Sequence, residues 1–118
     1  MTAPRTVTVH TLDHGDVVVP EPAWCINHDP FDGHREDFTH YGAEQPLHFR
    51  GELLWVAMLV QAPFSRSPHV GVYVEQTGYA GTLDAAGLRE LADTQAVHAE
   101  QLRRLARELD ALQDGGDR

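Results

Sequence analysis

The sequence predicts an α+β domain: a small antiparallel sheet, one long C-terminal helix packed on it, and an N-terminal loop organised by a metal. Three observations carry that expectation. Residues 53–60 are apolar on both faces of an extended chain, with Leu53, Trp55, Ala57 and Leu59 on one side and Leu54, Val56, Met58 and Val60 on the other. A strand of that kind is central and covered on both sides. Residues 82–113 carry leucines at alternating steps of three and four, the signature of a helix with one apolar stripe. Residues 23–42 have neither period, yet they hold Cys25, His28, His34 and His40.

The remaining elements follow in order. Residues 6–12 alternate, with Val7 and Val9 on one face and Thr6, Thr8 and His10 on the other, which predicts a half-buried strand. Asp13-His14-Gly15-Asp16 is turn chemistry, and residues 17–19 form a short returning strand that Pro20 and Pro22 end. Residues 46–49 are a short strand, Arg50-Gly51-Glu52 a tight turn, residues 63–68 a loop, and Val70, Val72 and Val74 mark a further strand. Thr82 is the expected N-cap of the helix, Asp84 favours its dipole, and Gly115-Gly116 stop it. At about 1.5 Å per residue the helix is roughly 45 Å long, so its distal half is expected to leave its own sheet.

Length, charge and cysteine content narrow the function. The chain has 118 residues, enough for one domain with one modest core, read here as residues 1–118. A formal net charge of −9 repels phosphate backbones, and the one basic cluster, Arg103, Arg104 and Arg107, is interleaved with Glu100, Glu108 and Asp110 as a solvated helix face. No nucleic-acid partner is therefore expected. The single cysteine makes no intramolecular disulfide, residues 1–9 lack a signal-peptide core, and the run 53–60 is too short to span a bilayer. These features predict a cytoplasmic protein with no membrane partner. Eight histidines are many for this length, and four lie between His28 and His48.

Those histidines and Cys25 form the pattern C-x2-H-x5-H-x5-H. Zinc favours thiolate and imidazole donors in a tetrahedral shell, and a two-residue spacer lets one turn present two of them. A structureless loop of this length needs an organiser, and a metal supplies one. The predicted ligands are Cys25, His28, His34 and His40, with Asp29, Asp32, Glu36 and Asp37 available to orient the imidazoles. The spacing matches neither the paired-cysteine ribbon nor the zinc-finger form. His34, beside Gly33 at a turn tip, is the weakest of the four, and His14, Asp37 or His10 are alternatives to it. Four protein ligands make a closed structural site. Cys25, His28 and His40 alone leave an open position, with Glu36 or Asp37 as a base for a hydrolase or lyase reaction. Cys25 as a nucleophile has no local signature behind it. A different explanation needs no metal: Trp24 and Cys25 are buried and the histidines are solvated.

The segment Trp24-Cys25…His28…His40-Tyr41-Gly42, followed by two strands and a threonine-capped helix, resembles a small actinobacterial (Streptomyces-type) family of unknown function. The likeness covers residues 24–96. It implies Cys25, His28 and His40 as donors, leaves His34 open, implies an accessory or regulatory role in the cytoplasm, and supplies no assigned activity.

The leucine seam of Leu88, Leu91, Gln95, His98, Leu102, Leu105, Leu109 and Leu112 predicts a homodimer, with parallel and antiparallel helix pairs both open. Burial against the chain's own sheet is the competing explanation. His98 is expected to be a satisfied interface histidine or a pH-sensitive contact, Trp55 a core anchor, and His48 and His69 surface residues. The expected function is a non-enzymatic zinc-binding interaction or regulatory protein. A zinc-dependent enzyme is the alternative, and an acidic antagonist of a nucleic-acid-binding protein a third.

Overall fold

The computed structural model describes residues 5–26 and 31–116, with side chains to residue 113. The chain is α+β: β1 (Arg5–Thr11), β2 (Gly15–Glu21), a 3-10 turn (Arg35–Asp37), β3 (His40–Tyr41), β4 (Gln45–Phe49), β5 (Glu52–Gln61), β6 (Gly71–Gln76) and α1 (Ala85–Gly116). β1 pairs β2 antiparallel, and β5 pairs β3 and β4 antiparallel; β6 also pairs β5. The strand predicted to be central is thus the one that every other member of its sheet pairs.

The chain divides into two compact units. One contains Met1–Ala43 and Met58–Gly71, the other Glu44–Ala57 and Val72–Arg118. Residues 58–61 of β5 belong to the first and residues 52–57 to the second.

In the first unit, alternation decides which face of the hairpin is buried. Val9 and Val19 form a core with Phe38, and Val7, Val17, Phe31 and Phe64 pack against it. Thr8, His10, Asp16 and Val18 face outward. The predicted end of β2 is corrected: pairing runs through Pro20, opposite Thr6, to Glu21, opposite Arg5. In a two-stranded ribbon alternate N–H groups face away from the partner, which is where a proline is accommodated. The segment expected to lack regular structure contains the 3-10 turn and β3.

In the second unit, β4 and β5 join through a two-residue turn, Arg50-Gly51, with φ of 52° and 83°. Two positive φ values give a hairpin turn whose twist matches that of the strands. Arg50 is held there by Glu90, with Nη2 2.7 Å and Nε 2.9 Å from Oε2. Leu47, Phe49 and Leu54 form the core, and Trp55, Tyr79, Leu83 and Leu91 pack on it.

The helix differs from expectation at its start. Thr82 is not the cap. Asp84 is: its Oδ1 accepts the Gly87 N–H at 2.8 Å and its carbonyl accepts the Leu88 N–H at 2.9 Å. The Asp84 carboxylate, immediately before the first helical residue, reaches the third N–H of the helix, whereas Thr82 stands two residues further back. Gly115 and Gly116 continue the helix rather than stopping it. The distal half also stays partly engaged, since Leu105 is 3% exposed within the single chain. No helix among the described residues is long and apolar enough to cross a membrane.

Candidate metal centre

The two ends of the W-C…H-Y-G motif meet in the first unit. Trp24 and Cys25 follow β2, where the Cys25 N–H donates to the Pro22 carbonyl at 3.0 Å. The Ile26 N–H then donates to the Tyr41 carbonyl at 3.0 Å, fixing this segment to β3. His40 lies opposite Gln61 of β5. Its ring is met edge-to-face by Phe38 at 5.0 Å and by Trp24 at 6.4 Å. Cys25 is 3% exposed and His40 1%. Two donor types that zinc prefers are therefore held away from water on separate segments of backbone, His40 between two aromatic rings.

Gly42 explains why the motif ends in glycine. Its N–H donates to the Leu59 carbonyl at 2.8 Å. A Cβ there would lie 3.2 Å from Leu59 Cβ and 3.4 Å from Trp24 Cε3. The absent side chain leaves room for Trp24 and Leu59 to approach the Gly42 backbone.

The other predicted ligands divide. His28 lies outside the described residues, as does Asp29. His34 is exposed; its carbonyl accepts the Asp37 N–H at 3.0 Å, opening the 3-10 turn. Among the described residues no group of three or more His, Cys, Asp and Glu side chains converges as a metal shell. The alternatives to His34 are engaged elsewhere or face solvent. His10 Nδ1 meets Asp16 Oδ1 at 2.5 Å, His14 Nδ1 lies 3.0 Å from Asp13 Oδ2, and Asp37 and Glu36 are exposed. His48 and His69 are exposed as expected. In chemical terms, a cysteine thiolate and an imidazole are donor types that suit a soft tetrahedral ion.

Phe38 and Asp13 lie outside the sequence motif. Phe38 is 1% exposed and walls His40 from two positions upstream, the spacing that places two strand residues on one side. Asp13 Oδ1 accepts the Arg35 N–H at 2.9 Å, a contact across 22 residues that no local pattern announces.

Away from this centre, His98 of α1 is 6% exposed, and its ring lies 5.6 Å from that of Trp55 at an interplanar angle of 30°. Its Nε2 has no hydrogen-bond partner among the described residues of the single chain, where burial and the Trp55 ring hold it.

No curated protein and no solved structure matches this chain. A family model described as a domain of unknown function (DUF6907) matches residues 6–111. That span runs from the first strand almost to the end of the helix, and the chain belongs to this family of unknown function.

Proposed function

We propose that the chain is a small, non-enzymatic, zinc-stabilised protein that works by binding another protein or a second copy of itself. Cys25 and His40 are the anchoring donors, and His28 and His34 complete the shell. The observation that supports this reading is that Cys25 and His40, both buried, lie on two segments that the Ile26 N–H joins to the Tyr41 carbonyl, with Trp24 and Phe38 set against the His40 ring. A thiolate and an imidazole so placed suit a structural zinc, which contributes folding free energy directly. The same burial argues against the enzymatic alternative, because an open catalytic position needs a path for substrate. A zinc-bound thiolate also fits a reducing, cytoplasmic setting. The likeness of the motif to small actinobacterial proteins of unknown function belongs with this reading.

The helix supplies the association surface in this reading. Leu102, Leu109 and Leu112 remain half-buried and Leu88 is exposed in the single chain, at the three-and-four spacing of a helix pair. A second copy offers the same stripe.

Native mass spectrometry of protein purified with zinc tests both parts. One zinc per chain and a dimer mass are expected, with zinc lost in Cys25→Ser and His40→Ala. Metal-free wild type under these conditions overturns the zinc reading, and a monomer mass at micromolar concentration overturns the association.

A further inference from the structure

We infer that the β1–β2 hairpin turn is a positioning device for His40, and that Asp13 is the residue through which it acts; the consequence for metal binding rests on the zinc reading above. The turn is rigid in its own right. Thr11 Oγ1 donates to the Gly15 carbonyl at 2.7 Å and accepts the His14 N–H at 2.9 Å, and Gly15 takes a φ of 64°. From this turn two bonds reach the far side of the motif. The Leu12 N–H donates to the Gly33 carbonyl at 2.9 Å, and Asp13 Oδ1 accepts the Arg35 N–H at 2.9 Å. The other carboxylate oxygen lies 3.0 Å from His14 Nδ1, so the side chain is gripped from two directions.

Arg35 is the first residue of the 3-10 turn. Its carbonyl accepts the Phe38 N–H at 3.2 Å, and its guanidinium lies 4.9 Å from the centre of the Phe64 ring. Phe38 packs on Val9 and Val19 of the hairpin and meets the His40 ring at 5.0 Å. The hairpin therefore holds both ends of one short relay: its turn fixes Arg35, and its inner face fixes Phe38. The ring of Phe38 then sets the imidazole of His40. Asp13 is a positioning residue, because its contacts are with Arg35 and His14 and it acts on His40 through Phe38. A neighbour of this kind acts on a metal site through ligand orientation, an effect worth about 10–100-fold in affinity.

The test compares wild type, Asp13→Ala and Asp13→Asn, with histidine side chains observed by 1H–13C NMR in metal-free protein and zinc affinity measured by competition. Asparagine keeps an oxygen that accepts the Arg35 N–H, and alanine does not. The expected result is a displaced His40 ring signal and zinc affinity about tenfold or more weaker in Asp13→Ala, both restored in Asp13→Asn. If Asp13→Ala does not fold, Asp13→Ser, a turn-compatible residue too short to reach Arg35, carries the same comparison. An unmoved His40 signal in Asp13→Ala, or an equal displacement in Asp13→Asn, overturns the relay. A moved signal in protein that binds no zinc in any variant upholds the relay and overturns only the metal reading.

Discussion

Trp24 stands edge-on to His40, with ring centroids 6.4 Å apart and planes at 83°, and it does so directly over Gly42. The contact joins residues sixteen positions apart in the chain, at the two ends of the motif. It depends on the backbone of β3 lying against Leu59 without an intervening side chain.

Gly42→Ala tests that dependence. The added methyl would sit 3.2 Å from Leu59 Cβ and 3.4 Å from Trp24 Cε3, with a buried backbone on one side. Overpacking of this type costs about 1–3 kcal/mol. Urea denaturation is expected to show a lower midpoint with an unchanged slope. A variant as stable as wild type would mean that Trp24 moves aside freely.

The acid limit of the Asp13 clasp is the second prediction. The Arg35 N–H lowers the Asp13 carboxyl from its ordinary value, burial opposes this, and His14 assists. A carboxyl lowered in the folded state contributes stability above its unfolded pKa, and that contribution is lost as pH falls through the folded value. Hydrogen exchange at the Arg35 amide should stay protected through mildly acidic pH and lose protection only below the usual carboxylate range. Asp13→Asn should show no such acid step.

Helix capping gives the third. Asp84→Ala removes the acceptor of the Gly87 N–H and is expected to cost about 1 kcal/mol. Thr82→Ala, at an exposed position outside the helix, should stay within about 0.5 kcal/mol of wild type. The reverse order, measured by thermal unfolding, would restore Thr82 as the cap.

His98 gives the fourth. Its buried Nε2 lacks a partner among the described residues, and an unsatisfied buried polar atom costs about 1–3 kcal/mol. Loss of its stacking on Trp55 offsets roughly 0.5–1.5 kcal/mol of any gain. His98→Leu is therefore expected to raise stability by about 1 kcal/mol, roughly 4 °C in Tm. A drop of similar size would show that the imidazole nitrogen has a partner that contributes to folding.

The sequence made the fold legible where period and composition agreed. Residues 53–60 announced a central strand because both faces are apolar, and the alternation of Val7, Val9, Val17 and Val19 announced the inner face of the hairpin. The helix was clear from its leucine spacing. Its cap was not, because Thr82 and Asp84 are both good caps and only the path of residues 82–84 chooses between them. The seam also overstated the uniformity of one face: Leu88 is exposed while His98 and Leu105 are buried. Periodicity gives direction from an axis, not the depth to which a neighbour covers it.

The candidate site was legible as residue types and not as partners. Cys25 and His40 stood out as donors, whereas Phe38 and Asp13 look ordinary in sequence. Their roles arise from contacts between segments brought together only by folding. His34 shows the converse. Spacing made it a ligand candidate, while the structure gives it an exposed side chain at the start of a 3-10 turn.

Cobalt(II) substitution followed by visible absorption tests the zinc proposal most directly, since it reports donor type and coordination number together. The account predicts stoichiometric binding, a thiolate-to-metal charge-transfer band that vanishes in Cys25→Ser, and the intense ligand-field bands of a closed tetrahedral site that collapse in His40→Ala. Absence of cobalt binding, or a spectrum unchanged by Cys25→Ser, would contradict it.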